Sequence, residues 1–375
     1  MRPELVIAEK EFRDHLTSKR FLIILGVLLL LAAYAMATGI DQYNKSLENY
    51  KNNKANGASN FEAAVNNEQK AIDDAVNSGA SPESIESMKA DLQALKNNRD
   101  YYLNPSMPSL LQIFQSFTFL FAVLGMVLGI AMGFDQMTKE KESGSLKSVL
   151  SAPVYRDALI NGKTLGSLAT LAVAIGITFL VIIAVMLFYG VVPGLEDLAR
   201  VFLFFIGSLL YCTVFFAIAM MTSTLARNSA MAIILAIGIV FTLFIIALLA
   251  SIITTYVITT YIYANTDNTT VTATQVANDY YQISDVLNIA SPFYDYTGYG
   301  SMSTGIAGAL LSNDKIQDPG AREYLGSAYV PHSRPEQATL EDSLSYIWVK
   351  VLMLLAETIA AFGISYAIFM RMDIR

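Results

Sequence analysis

The sequence predicts an all-α polytopic membrane protein with six transmembrane helices, an N-terminal interfacial helix and two sizeable extracytoplasmic insertions. Three observations predict it. Of 375 residues, 54% are hydrophobic and only 15% charged, against about 25% charged in an average soluble domain. That little charge cannot clothe a soluble surface. Uncharged runs occupy 21–40, 101–134, 164–195, 201–226 and 228–266, each long enough for the roughly 20 apolar residues that carry a helix across a bilayer. A sixth region, 343–370, is interrupted only by Lys350 and Glu357. A soluble enzyme, a nucleic-acid binder and a disulfide-stapled secreted domain are excluded together. The single cysteine, Cys212, has no intrachain partner, and the two histidines, His15 and His332, are far apart. No metal site is expected from them.

The elements follow in order. In residues 1–20, Leu5, Ala8, Phe12 and Leu16 recur at helical spacing, with Glu9, Lys10, Arg13 and Lys19 around the rest of the wheel. Such a segment lies along a membrane interface, and we read it as an interfacial helix with Phe12 and Arg13 as candidate site residues. Span one is 21–40. Ala35-Met36-Ala37 has the spacing of a cleavage site, but residues 1–20 mix four acids with five bases, which is unlike a signal-peptide leader. An uncleaved span is expected. The insertion 41–109 contains two apolar stripes, Phe61/Val65/Ile72/Val76 and Ile85/Met88/Leu92/Leu95, separated by Ser81-Pro82. Serine then proline is an N-cap followed by the first helical position, so an extracytoplasmic helical hairpin is expected.

Span two, 110–134, carries Gly125, Gly129 and Gly133 at four-residue spacing, a stripe against which another helix can approach closely. Spans three, four and five are 164–189, 201–226 and 229–256. The hydroxyls of spans four and five can bond to their own helix backbone and read no substrate. The second insertion, 265–343, has ten acids and three bases, and its part 283–311, apolar with glycines, is expected to dip back toward the membrane. Asn44-Lys45-Ser46 and Asn268-Thr269-Thr270 are glycosylation triplets on the expected outer side. Span six, 344–370, holds the candidate pathway or gating residues. Lys350, near the outer end, is expected to snorkel to the interface. Glu357, near the middle, costs about 2.5–3.5 kcal/mol on insertion scales and needs a polar partner, a subunit seam or a watery path.

Charge sets the orientation. Residues 1–20, 135–163, 227–228 and 371–375 hold 13 Lys/Arg in 56 residues, whereas 41–109, 190–200 and 265–343 hold 11 in 159. The positive-inside rule puts both termini in the cytoplasm, with the chain multi-pass in the plasma (cytoplasmic) membrane.

Loop 135–163 is the most informative cytoplasmic stretch. Between Gly144 and Pro153, Leu146, Val149 and Leu150 fall at helical spacing, giving a short helix held below the membrane by two charged arms. Gly162-Lys163-Thr164 mimics the end of a phosphate-binding loop, but that loop needs a glycine where Asp157 stands. The chain is not expected to bind or hydrolyse ATP, and no catalytic residues are assigned to it.

The runs Lys139-Glu140-Lys141-Glu142-Ser143-Gly144-Ser145-Leu146 and Leu150-Ser151-Ala152-Pro153-Val154-Tyr155-Arg156, then Gly162-Lys163, resemble the first cytoplasmic loop of ATP-binding-cassette (ABC) type-2 exporter permeases. Glu9-Lys10-Glu11-Phe12-Arg13 through Lys19-Arg20-Phe21 resembles that family's connecting helix, and Ser291-Pro292-Phe293 its element before the last span. The resemblance implies a permease subunit paired with a second permease chain, identical or related. It also implies ABC ATPase subunits, two in number, which carry the ATP and Mg that this chain lacks. By the same resemblance, loop 135–163 forms the coupling helix, with Glu140, Glu142, Gly144, Leu146 and Arg156 as coupling residues. Two alternatives stay open: an ion-coupled secondary transporter relying on the intramembrane charges, and an ATPase-linked scaffold acting through the outer loops. An intramembrane enzyme ranks below both, because the spans hold no paired acids, Ser/His set or metal cluster.

Overall fold

The computed structural model describes residues 3–97, 99, 103–105, 107–145, 155–257, 283, 286–288, 291–298, 305–312 and 338–372. Among them the chain is helical throughout, without a strand, and six helices are long and apolar enough to cross a membrane. In chain order the elements are α1 (Pro3–Leu16), α2 (Lys19–Asn77), α3 (Pro82–Asn97), a 3-10 turn (Leu110–Phe114), α4 (Gln115–Gly133), α5 (Thr138–Glu142), α6 (Arg156–Phe188), α7 (Leu195–Leu225), α8 (Ser229–Val257), α9 (Pro292–Thr297), α10 (Ile306–Leu310) and α11 (Leu340–Arg371). The spans are the first part of α2, then α4, α6, α7, α8 and α11.

Capping side chains fix where the helices start. Ser18 Oγ accepts from Phe21 N at 3.2 Å and opens α2. Thr339 and Asp342 bond reciprocally to each other's backbone N–H at 3.2 and 3.0 Å and open α11 with a capping box. Two starts and ends differ from the sequence expectation. The helix of span one does not stop at residue 40: α2 is 59 residues long in all, so span and first hairpin arm are one helix, about 90 Å long at 1.5 Å per residue. No proline stands between Asp41 and Asn60 to break it, and the Asn residues and Gly57 there weaken a helix without ending it. The helix of span three starts at Arg156 rather than residue 164, and Arg156 and Lys163, read as loop charges from composition, find partners in other elements.

Helix α7 is the central element and packs against α4, α6, α8, α9, α10 and α11. The glycine stripe of α4 lies against it. A Cβ on Gly129 would stand 2.5 Å from the Cys212 carbonyl oxygen, and one on Gly133 would stand 2.6 Å from that of Phe216. Close backbone approach therefore replaces side-chain interdigitation at this seam, and the stripe is used within the chain. The core beside it is aromatic. Tyr296 of α9 stacks on Tyr211 at 4.4 Å between ring centroids, and its hydroxyl lies 2.8 Å from Ser208 Oγ. Tyr211 in turn donates to the Ala122 carbonyl at 2.8 Å. The short helices α9 and α10 thus insert among α4, α7 and α11, and Ser291, capping α9 ahead of Pro292, starts that insertion. By contrast α8 and α11 keep broad apolar faces exposed, including Ile234, Phe241, Leu248, Trp348, Leu352 and Ile359.

Side-chain contacts define two ends of the bundle. One gathers α1, the starts of α2 and α6, and the last turn of α11; it carries both described chain ends and is called the terminal face. The other gathers the ends of α6 and the starts of α4, α7 and α11.

Candidate functional site

The candidate site is the terminal face, and it is assembled from α1 upward. The apolar side of α1 lies in a trough on α6. A Cβ on Gly162 would meet Ile7 Cβ at 2.7 Å, and one on Gly166 would meet the Ala8 carbonyl oxygen at 2.6 Å. Gly162, a phosphate-loop decoy in the sequence, is therefore a notch that seats α1. The next residue, Lys163, is 3% exposed, and its Nζ makes 2.8 Å ion pairs with both Glu11 of α1 and Glu140 of α5. A buried cation shared by two carboxylates ties three elements at one atom. Breaking such a buried pair from one side costs about 3–5 kcal/mol.

Short as it is, α5 fastens to the spans beyond. Lys141 Nζ donates to the carbonyls of Ser223, Thr224 and Ala226 at 3.3, 2.6 and 3.0 Å. A cation there satisfies the orphan carbonyls at the end of α7 and complements its dipole. Glu142 does the opposite at the start of α8, accepting from Ser229 N at 2.7 Å and from Ser229 Oγ at 3.2 Å. Ser223 Oγ accepts from Met137 N and Thr138 N at 2.9 and 3.2 Å. Gly144 follows with φ +70°, the left-handed turn that lets the chain leave α5. Arg156, at the start of α6, donates to the Met370 and Met372 carbonyls at 3.2 and 2.8 Å and caps α11.

The first two spans are held similarly. Arg20 pairs with Asp135 at 2.9 Å and lies over the Phe134 ring at 5.3 Å. Gln136 presents its amide nitrogen to His15 Nε2 at 2.7 Å, Ser167 Oγ at 2.6 Å and the Met132 carbonyl at 3.0 Å. Burial pushes the His15 imidazole below its ordinary value of 6.5, against the pull of Glu11 and Asp135. It is therefore neutral at pH 7, with Nε2 free to accept from Gln136.

Of the residues singled out in the sequence, Glu140, Glu142, Gly144 and Arg156 are all brought to this face. The three charged ones are engaged by the chain's own spans, Glu142 at an exposed position. Phe12 backs onto Gly166, whereas Arg13 points to solvent. Leu146, with residues 147–154, lies outside the described residues.

Residues 5–374 match the family described as ABC-2 family transporter protein. The chain belongs to the ABC-2 transporter family. The match spans every element at the terminal face and all six membrane-spanning helices, so this ABC-2 transporter protein is a multi-pass membrane component of a transport system, a permease. No individually curated protein matches it.

Within the bundle of this ABC-2 protein the two intramembrane charges have different surroundings. Lys350 does not snorkel: it is 5% exposed, with Nζ 4.5 Å from the centre of the Tyr294 ring. Helix α9 packs over this part of α11 where an open interface was expected, and its Tyr294 ring gives the ammonium a cation–π contact. Glu357 is half-buried, and its Oε2 meets no donor.

Sequence reasoning missed Arg200. It is 1% exposed at the start of α7 and donates to Ser343 Oγ at 2.9 Å and the Ala338 carbonyl at 2.6 Å, with Glu196 beside it at 3.1 Å. It clasps α11 to α7 at the face opposite the termini. The Glu196/Arg200 spacing was its one sequence signal. Lys163 and Lys141, quoted in the resemblance, were likewise given no role of their own. Four of the span hydroxyls, on Thr213, Thr222, Thr242 and Thr254, bond to carbonyls of their own helix; Ser223 and Ser229 serve the site.

Proposed function

We propose that this chain is the permease subunit of an ATP-driven ABC exporter, two such chains forming the pathway and separate ATPase subunits docking at the terminal face, which is cytoplasmic. One observation carries the reading: the stretch around the proposed docking segment is fastened to spans three to six by side chains. Glu140 holds α6, Lys141 holds the end of α7, Glu142 holds the start of α8, and Arg156 holds the end of α11. A partner that displaces residues 143–155 therefore moves the ends of four spans together, and Lys163 adds α1 to the same movement. The switching energy is the difference in docking contacts between the ATPase's nucleotide states. ATP and Mg stay on the partner. Glu140, Glu142 and Arg156 act as transmitters, Gly144 sets the exit turn, and Leu146 is the docking contact. Glu357 belongs to the pathway or its gate.

The test is purification of the tagged chain from its native membrane in mild detergent, beside Leu146→Asp. The expected result is a stoichiometric ATPase that the variant loses. A well-folded chain that brings no ATPase even after crosslinking would overturn the reading, and transport by an ion relay through Glu357 would then be tested with Glu357→Gln.

A further inference from the structure

Three contacts fix how α6 and α7 lie side by side. The Phe179 ring meets those of Phe204 and Phe205 at 5.3 and 5.5 Å between centroids, and Thr164 Oγ1 lies 3.3 Å from Met220 Sδ. The two helices are therefore antiparallel, with Ile183 level with Arg200 and Phe188 level with Leu195. Lys163 and Arg200 are buried cations at opposite ends of this pair. From Lys163 to Ile183, and from Arg200 to Met220, is about 30 Å at 1.5 Å per residue. A hydrocarbon core is about 30 Å thick, so the two cations mark its edges.

The turn between α6 and α7 stands past the Arg200 edge, with Phe188 and Leu195 about 7.5 Å beyond it. They are nonetheless 86% and 87% exposed, and Val192 between them is 72% exposed. Residues 164–195 hold no charge. The acids that follow are turned to their own chain: Glu196 pairs with Arg200 at 3.1 Å, and Asp197 Oδ2 accepts from Gly194 N at 2.9 Å.

We propose that this tip, Phe188, Tyr189, Val192 and Leu195, lies in the headgroup layer of the leaflet away from the terminal face and takes phospholipid as its partner. Depth is the first argument. Headgroups add about 5–7 Å to each side of the core, the layer that the turn reaches. Composition is the second, since aromatic rings gather in that layer, and Phe188 and Tyr189 supply two, edge to face at 5.6 Å. Continuity is the third: the tip extends the exposed apolar flank of α6 formed by Ile177, Leu180 and Leu187. An apolar patch of this kind marks an interaction site, and lipid is what stands at that depth.

Fluorescence quenching of the full chain in phosphatidylcholine nanodiscs tests this. The native cysteine is buried, so Leu195→Cys takes a fluorescent thiol label alone, and Asn52→Cys, at an exposed position of α2 well beyond span one, is the control. A nitroxide carried on the phospholipid headgroup should quench the Leu195 label strongly and the control weakly, and aqueous iodide should do the reverse. Phe188→Ser/Val192→Ser, both exposed positions, should open the Leu195 label to iodide without changing the melting temperature. Iodide quenching at Leu195 equal to that of the control overturns the proposal. A label shielded from both quenchers, as under a protein surface, also overturns it, and so does quenching that the double variant leaves unchanged. The readout needs neither an ATPase nor a second permease chain, so its failure leaves the proposed coupling untouched.

Discussion

Lys163 holds two carboxylates from two other elements, so replacing it strands both. Lys163→Met should lower stability in detergent by about 3–5 kcal/mol, seen as an earlier thermal transition and release of α1. The triple variant that adds Glu11→Gln and Glu140→Gln leaves no buried charge and should recover most of the loss. If the triple is no better than the single, the ion pairs are not what binds these elements. His15 gives the site a pH dependence whose sign follows from burial. The unfolded imidazole takes its proton near 6.5 and the folded one only lower, so between those values the unfolded state binds more protons and stability falls as pH falls. Docking of α1 should be complete above 6.5 and weaken on acidification, as protonated Nε2 turns a donor toward the Gln136 amide. Amide hydrogen exchange in α1 between pH 7.5 and 5.5 measures this, and His15→Asn should flatten the slope. Single residues were the least legible scale in the sequence. Glu140 and Glu142 were picked from a resemblance, but their partners, Lys163 and Ser229, lie in other elements, and nothing in a linear pattern joins them.

Elements were far more legible, because the six apolar runs reflect the bilayer's demand for about 20 residues per crossing. Their ends were not. Charge looked like loop at 156–163, yet Arg156 and Lys163 are both satisfied by other elements; tertiary partners overrode composition. The glycine stripe was legible as a close-packing face, and the structure supplies its partner, α7. Gly129→Ala should cost about 1–3 kcal/mol, since its methyl group would stand within 2.5 Å of backbone oxygen and the seam must open. Gly26→Ala, which meets nothing within 4 Å, is the matched control. Equal melting of the two variants would show that α4 and α7 are not in close contact. At the opposite face, Arg200→Met removes the clasp between α7 and α11 and leaves the Ala338 carbonyl and Ser343 hydroxyl without their donor. A loss of about 3 kcal/mol is expected, with faster proteolysis ahead of α11.

For the whole molecule, α7 is enclosed while α8 and α11 leave their outer faces apolar and exposed. Those faces meet lipid or the proposed second permease chain. Because the one cysteine, Cys212, is fully buried, the native chain is already silent to thiol crosslinkers. Ile237→Cys in α8 and Leu352→Cys in α11 therefore report on the seam directly. A crosslinked dimer from one of them in the membrane is expected, and only monomers from either, at any crosslinker length, would remove these faces from the pairing. Six apolar spans and an amphipathic N-terminal helix are the part of the molecule that composition and spacing conveyed; that this helix seats on α6 was not. Insertion of α9 and α10 among the spans was only hinted at by their apolarity, since it depends on ring stacking between Tyr296 and Tyr211.

The continuity of α2 has a mechanical consequence. A helix without a joint cannot absorb a change of angle; it passes the change along as a rigid rod. From Asp41 to Asn77 the rod projects about 55 Å beyond span one. A tilt of span one by about 5° would therefore sweep its tip sideways by about 5 Å. With Arg20 and Phe21 at one end tied into the terminal face, small movements there are magnified into a displacement on the far side of the membrane. Distances between labels at the α2–α3 tip would read this leverage directly.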